Sequence, residues 1–254
     1  MRFIRLIIVL LVLFALSFSW AGGTSSLLGL LPDIPSSQTI TKELSSSWER
    51  TYRIIALKSA VNAKLDKRNY IKIQYIPLVM QQTIIAVEDN RFYRHVGFDI
   101  EGILRAVLVN MQTGALSEGG STITQQLVKN LFLTQEKTYG RKAEEVILAI
   151  DMELRYSKEE ILEMYLNSIY FGSGAYGIGD AALIYFDKSP VNLTLAECAM
   201  LAGLPTAPSL NSPYVDFNAA KQRQLVVLSA MTRHGYIGPQ TAQEAKLAPI
   251  KLAK

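Results

Sequence analysis

The sequence predicts a mainly α-helical domain carried behind an N-terminal transmembrane helix. Three observations predict it: apolar residues recur at helical spacing in six stretches, no run of alternating strands with hairpin turns interrupts them, and an almost uncharged apolar segment opens the chain. With 254 residues, 49% of them apolar, the chain can bury a substantial core.

The opening segment comes first. Arg2 and Arg5 precede the apolar run 6–20, and no charge follows until Asp33. Counting Ala21, Gly22 and part of 27–31, the run reaches the roughly 20 residues that a spanning helix needs. Basic residues before it and few after it place the remainder outside the cytoplasm. Ser19-Trp20-Ala21 also reads as a small-x-small cleavage site of a signal peptide, and either reading exports the domain. The expected organisation is therefore a cytoplasmic tip and anchor at 1–32, a Ser/Thr-rich linker at 33–47, and an exported domain at 48–254.

Within that domain, the stretches 103–110, 122–133, 141–155, 158–167, 195–204 and 219–234 carry the helical pattern. Ser157-x-x-Glu160 and Thr194-x-x-Glu197 are capping boxes, in which hydroxyl and carboxylate satisfy the free N–H groups of a helix start. His234 beside Gly235 reads as a helix C-terminus. Composition excludes several chemistries. A lone Cys198 forms no internal disulfide, and two histidines with one cysteine are too few for a zinc site. A net charge of +4 leans mildly toward phosphates or acidic lipid surfaces, and without basic runs interleaved with aromatics it gives no sign of nucleic acid.

What chemistry remains rests on carboxylates, amides and bases. In V-E-D-N-R-F-Y-R-H-V-G-F-D (87–99), Glu88 ends the apolar approach 83–87. If that approach is a buried helix turn, desolvation pushes Glu88 toward protonation and makes it a stronger base than a solvated glutamate. A solvated Glu-Asp pair flanked by Arg91 and Arg94 accounts for the same letters. In R-K-A-E-E, Glu145 lies four residues after Arg141 and three after Lys142, so cations share its helix face. Carboxylates in contrasting environments are a common arrangement in acid/base and glycosyl chemistry, although a surface ladder of ion pairs, which suits Glu144 better, reads the same way. Between them, G-G-S-T-I-T-Q-Q-L-V-K-N (119–130) offers glycines for a close backbone approach, Ser121 or Thr122 as a cap, and a helix start whose free N–H groups can receive an anion. Thr122, Gln126 and Lys129 fall on one face there, beside Gln125. The spacing is not that of a nucleotide P-loop, and a plain loop-to-helix junction explains the glycines equally well.

These motifs, together with Y-L-N-S-I-Y-F-G-S-G-A-Y-G-I (165–178) and L-T-L-A-E-C-A-M-L-A-G-L-P-T-A-P-S (193–209), resemble in sequence and order the peptidoglycan glycosyltransferases of glycosyltransferase family 51. That family comprises the polymerase domains of class A penicillin-binding proteins and their monofunctional relatives. The resemblance runs over 75–245. It implies a lysozyme-like fold with head and jaw lobes in the bacterial cytoplasmic (inner) membrane, the domain facing outward. It implies polymerisation of lipid II: the acceptor 4-hydroxyl attacks C1 of the lipid-linked chain, C1 inverts, a β-1,4 link forms, and undecaprenyl pyrophosphate leaves. By position, Glu88 matches the general base and Glu145 the second catalytic glutamate, which supports the leaving pyrophosphate or positions the reacting groups. Asp89, Phe92, His95, Gly120, Ser121, Thr122, Gln126, Lys129, Asn130, Arg141 and Lys142 match the substrate-binding positions. His95 also reads as a residue that orders the Glu88 loop. Lipid II, the lipid-linked glycan chain, the bilayer and other cell-wall synthesis proteins are the implied partners. No cofactor is required; a divalent cation, Mg2+ or Mn2+, is implied for some members, and the sequence holds no dedicated cage for it. Leu131, Phe132 and Leu133 are either core or lipid-facing.

No S-x-x-K, S-x-N and K-T-G set appears, so glycan polymerisation without peptide crosslinking is expected of this chain. Two other classes stay open: a lytic enzyme of the lysozyme type, in which a protonated glutamate cleaves glycan, and an inactive membrane-tethered cell-wall scaffold.

Overall fold

The computed structural model describes residues 56–113, 119–133 and 138–253. The expected anchor and linker lie outside the described residues. Among the described residues there are ten α-helices, three single 3-10 turns and no extended strand, only the isolated bridges Val96 to Phe98 and Tyr170 to Tyr176. The helices are α1 Leu57–Lys64, α2 Leu78–Glu88, α3 Ile100–Thr113, α4 Ile123–Phe132, α5 Tyr139–Arg155, α6 Lys158–Ser168, α7 Gly177–Phe186, α8 Leu195–Ala202, α9 Phe217–Arg233 and α10 Pro239–Leu247. None is long and apolar enough to cross a membrane.

Three start signals govern three of these helices. Thr122, Ser157 and Thr194 each accept the N–H of the residue three positions on, while Gln125, Glu160 and Glu197 reach back to the cap's own N–H. The last two are the expected capping boxes. At α9, Asp216 accepts the Ala219 N–H at 2.9 Å, so the helix starts two residues before the apolar pattern suggests.

Helix α8 is the hub. Seven consecutive residues from Ala196 to Ala202 are buried, which is how a helix inside a core reads. It packs against α2 and α9, which also pack on each other, while α4 packs against α5 and α6. Fully buried Ile84, Leu127, Leu148, Ile161 and Leu201 knit these groups, each side chain contributing roughly 1.5–3 kcal/mol of transfer free energy. The chain thereby fixes two helix ends that matter below, the C-terminus of α2 and the N-terminus of α4.

The segment joining α2 to α3 is locked against α5 by Gly97. Its φ is +78°, and a Cβ there would sit 2.8 Å from backbone atoms of Ala149 and Ile150, so only glycine allows this approach. Gly177 plays the same part at the start of α7, where a Cβ would lie 2.6 Å from the Asn167 carbonyl oxygen.

Candidate active site

Glu88 is the last residue of α2, and Asp89 leaves the helix with φ −159°. What ends the helix is visible in the partners of Asp89. Its carboxylate accepts the N–H of Ile123, the first residue of α4, at 3.0 Å, and both oxygens lie 3.0 Å from His95 Nε2. A carboxylate only accepts, so that nitrogen carries the proton. The start of α4 does receive an anion, as the sequence suggests, and the anion is Asp89 from the chain itself. Thr122 adds a further stitch, donating its hydroxyl to the Gly97 carbonyl at 2.7 Å. Glu88 is thus presented by a loop tied at Asp89, His95 and Gly97.

The Glu88 side chain is half-buried and opens onto a cleft of about 500 Å³. Gln126 of α4 donates Nε2–H to its Oε2 at 2.8 Å, and the Gln126 Oε1 accepts the Tyr165 hydroxyl of α6 at 3.1 Å. Burial pushes the Glu88 carboxyl above the ordinary glutamate range, and the neighbouring charge of Asp89 adds to that. The Gln126 donor and the charges of Arg223 and Lys129 oppose it without cancelling it. Such a group is a stronger base than a solvated glutamate, and it is held where a bound hydroxyl can reach it.

The cleft walls come from four directions. Asn90 continues from Glu88, Gly102 and Arg105 come from α3, Gly120, Ser121 and Thr122 from the approach to α4, and Arg223, Arg233 and His234 from α9 and its end. Arg223 also donates to Thr206 at 2.9 Å, and Arg105 to Asn90 at 3.2 Å. The cleft sets the guanidinium groups of Arg105, Arg223 and Arg233 beside the carboxyl groups of Glu88, Asp89 and Asp99, and those guanidinium groups suit a substrate carrying phosphate or carboxylate.

Glu145 sits differently. Its side chain is only 3% exposed, Arg141 Nη1 donates to Oε2 at 3.0 Å, and Lys142 Nζ binds Oε1. Lys142 also reaches Ser121 Oγ at 3.3 Å, so this ion-paired cluster lies directly behind the Ser121 wall of the cleft. Arg141 Nε is buried there with no acceptor.

Of the residues expected to bind substrate, Gly120, Ser121, Thr122 and Gln126 line the cleft with Asp89. Phe92 does not: it is 0% exposed, with the Lys158 ammonium 4.4 Å above its ring. His95 is also inside, its side chain 5% exposed. Lys129 is half-buried and close enough for its charge to act on Glu88, whereas Asn130 is exposed. Arg141 and Lys142 serve Glu145. Sequence reasoning missed Asn90, Arg105, Arg223, Arg233 and His234. Nothing in their local spacing marks them, because they reach the cleft only once α3 and α9 have packed. His234 does cap the C-terminus of α9, as read, and it also faces the cleft, where Asn90 Nδ2 lies 3.1 Å from its Nδ1.

Among the described residues no three His, Cys, Asp or Glu side chains gather in a way that could hold a metal ion. Both Glu145 oxygens are held by Arg141 and Lys142, which leaves that carboxylate no open position for a divalent ion.

The model of the transglycosylase family matches residues 56–232. Penicillin-binding protein 1A of Aquifex aeolicus is 46% identical over 190 residues, covering 75% of this chain and 26% of that protein. A protein of Cupriavidus necator described as a transglycosylase is 47% identical over 193 residues, covering 76% of this chain and 83% of that protein. Penicillin-binding protein 1F of Bacillus subtilis is 47% identical over 181 residues, 71% of this chain and 25% of that protein. The matched part is about a quarter of each penicillin-binding protein and most of the Cupriavidus protein.

Proposed function

Because this chain belongs to the transglycosylase family, the peptidoglycan glycosyltransferases, we propose that it polymerises lipid II into β-1,4-linked glycan strands by inverting transfer, with Glu88 as general base. The observation that carries this reading is the Glu88 carboxyl, its pKa raised by burial, opening on a cleft that three arginines also line. The acceptor 4-hydroxyl gives its proton to Glu88 as its oxygen bonds to C1 of the donor. The bond from C1 to the pyrophosphate oxygen breaks on the opposite face, and undecaprenyl pyrophosphate leaves with the electron pair. Lys129 and the Arg141–Lys142 pair behind Ser121 supply positive charge for that leaving group, with Glu145 holding the pair in place.

The same proposal includes a lysozyme-like arrangement of head and jaw lobes, and a seat at the membrane. Helix α3 supports the second. Beside the face that supplies Gly102 and Arg105 to the cleft, it exposes Ile100, Ile103, Leu104, Val107, Leu108 and Met111, a continuous apolar stripe. Facing lipid, that stripe would bring the cleft to a substrate whose tail stays in the bilayer. No crosslinking step is assigned to these 254 residues.

A carboxyl with a raised pKa would also suit the acid of a lytic enzyme. One experiment separates the readings: labelled lipid II and preformed glycan are each given to the full chain, its Glu88→Gln variant and its Glu145→Gln variant. Polymer from lipid II that vanishes with Glu88→Gln supports the transferase. Fragments released from glycan with lipid II left intact support the lytic enzyme, and polymer made equally well by Glu88→Gln removes Glu88 from the chemistry.

A further inference from the structure

Tyr165 has no part in the transfer just described, yet it stands one hydrogen bond behind it. It is 0% exposed in α6, and its phenol donates to Gln126 Oε1, whose amide donates in turn to Glu88. A glutamine amide can be turned either way about its last torsion, presenting NH2 or oxygen. A carboxylate only accepts, so the base needs the NH2, and a donor on the far side of the amide selects that orientation. The phenol is such a donor. Burial and the charges of Glu88 and Asp89 hold it well above 10, so it keeps its proton. With the amide reversed, its oxygen would face the carboxylate.

Resting on the reading of Glu88 as the base, we propose that Tyr165 is a positioning residue whose hydroxyl fixes the Gln126 amide and so keeps an N–H donor on the Glu88 carboxylate. Gln126 then tunes the base as well as lining the cleft. The charged and polar groups around Glu88 are Asp89 from its own turn, Lys129 and Gln126 from α4, Arg105 from α3, and Arg223, Arg233 and His234 from α9 and its end. Removing the phenol oxygen leaves those charges and the burial in place, which isolates the effect of the amide.

The test uses the full chain in detergent micelles, as wild type, Tyr165→Phe and Gln126→Met. The Glu88 carboxyl is titrated by carbon-13 NMR, its signal identified by its loss in Glu88→Gln, and lipid II polymerisation is measured against pH. Losing a donor to the charged form should raise the Glu88 midpoint by about half a pH unit or more in both variants. The acid limb of the rate should move with it, so that Tyr165→Phe loses about threefold or more on that limb and less on the plateau. A Glu88 midpoint unmoved in Tyr165→Phe, a rate lowered by one factor at every pH, or a Tyr165→Phe chain that does not fold would each overturn the proposal and leave the hydroxyl a structural role. A midpoint that moves while the acid limb stays would uphold the hydrogen-bond chain and instead remove Glu88 as the base.

Discussion

Glu88 and Glu145 are the same residue type, and they stand in contrasting surroundings. Glu88 opens on the cleft, meets one neutral amide donor at contact distance, and feels the charges of Arg223 and Lys129. Glu145 is closed off and holds two cations directly. Burial without a contacting cation leaves Glu88 ready to take a proton, whereas burial with two cations makes Glu145 a strut. The difference follows from where each lies on its helix. Glu88 is at an end, where the chain turns away, and Glu145 is one turn beyond Arg141 and Lys142.

Neutralising each glutamate sharpens the contrast. Glu88→Gln keeps the hydrogen bond from Gln126 but loses the base, and polymerisation should fall by about a hundredfold or more, measured by product formation from labelled lipid II. The same variant should melt higher at pH 7. Because the folded carboxyl is raised above its unfolded value, the wild type is most favoured where the group is protonated, and that contribution is lost as pH rises through the folded midpoint. The gain in melting temperature should therefore shrink as pH falls toward 4.5, the ordinary glutamate value. Glu145→Gln should move the other way, losing about 1–3 kcal/mol in urea titrations, the part from half-exposed Lys142 being the smaller. A stabilised Glu145→Gln chain would erase the contrast.

Smaller effects probe the loop that presents Glu88. Asp89→Asn keeps an acceptor for Ile123 but turns an NH2 toward His95 Nε2, and should cost about 1–2 kcal/mol of stability. Val107→Lys with Leu108→Lys on α3 should change stability least, by less than about 0.5 kcal/mol per site, since both residues are exposed. If that face meets lipid, the pair lowers polymerisation in vesicles more than in detergent; equal rates in both would detach α3 from the membrane reading.

Much of this site is legible in the sequence, because its parts are local. The capping boxes, the apolar approach to Glu88 and the Arg141, Lys142 and Glu145 spacing each fall within a few residues. Less legible are the pieces that depend on packing. The sequence carries no signal for the close approach at Gly177, where α7 starts so near Asn167 of α6 that a Cβ would lie 2.6 Å from its carbonyl oxygen. The helical face 122, 126 and 129 suggests three donors pointing at a ligand. In the structure Thr122 is taken by the cap and by Gly97, Gln126 is held between Tyr165 and Glu88, and Lys129 acts on Glu88 by its charge. Arg223 is the plainest omission. It looks like one more polar residue of an ordinary amphipathic helix, and only the packing of α9 on α2 and α8 brings it to the cleft.

The central claim is that burial makes Glu88 the working base, and the initial rate of lipid II polymerisation by the full chain as a function of pH tests it most directly. The rate should fall on acidification with a midpoint above 4.5, the value of an ordinary glutamate, because the carboxylate must be free to accept the proton. A rate that stays level through that midpoint region, or a limb at or below 4.5, would contradict it.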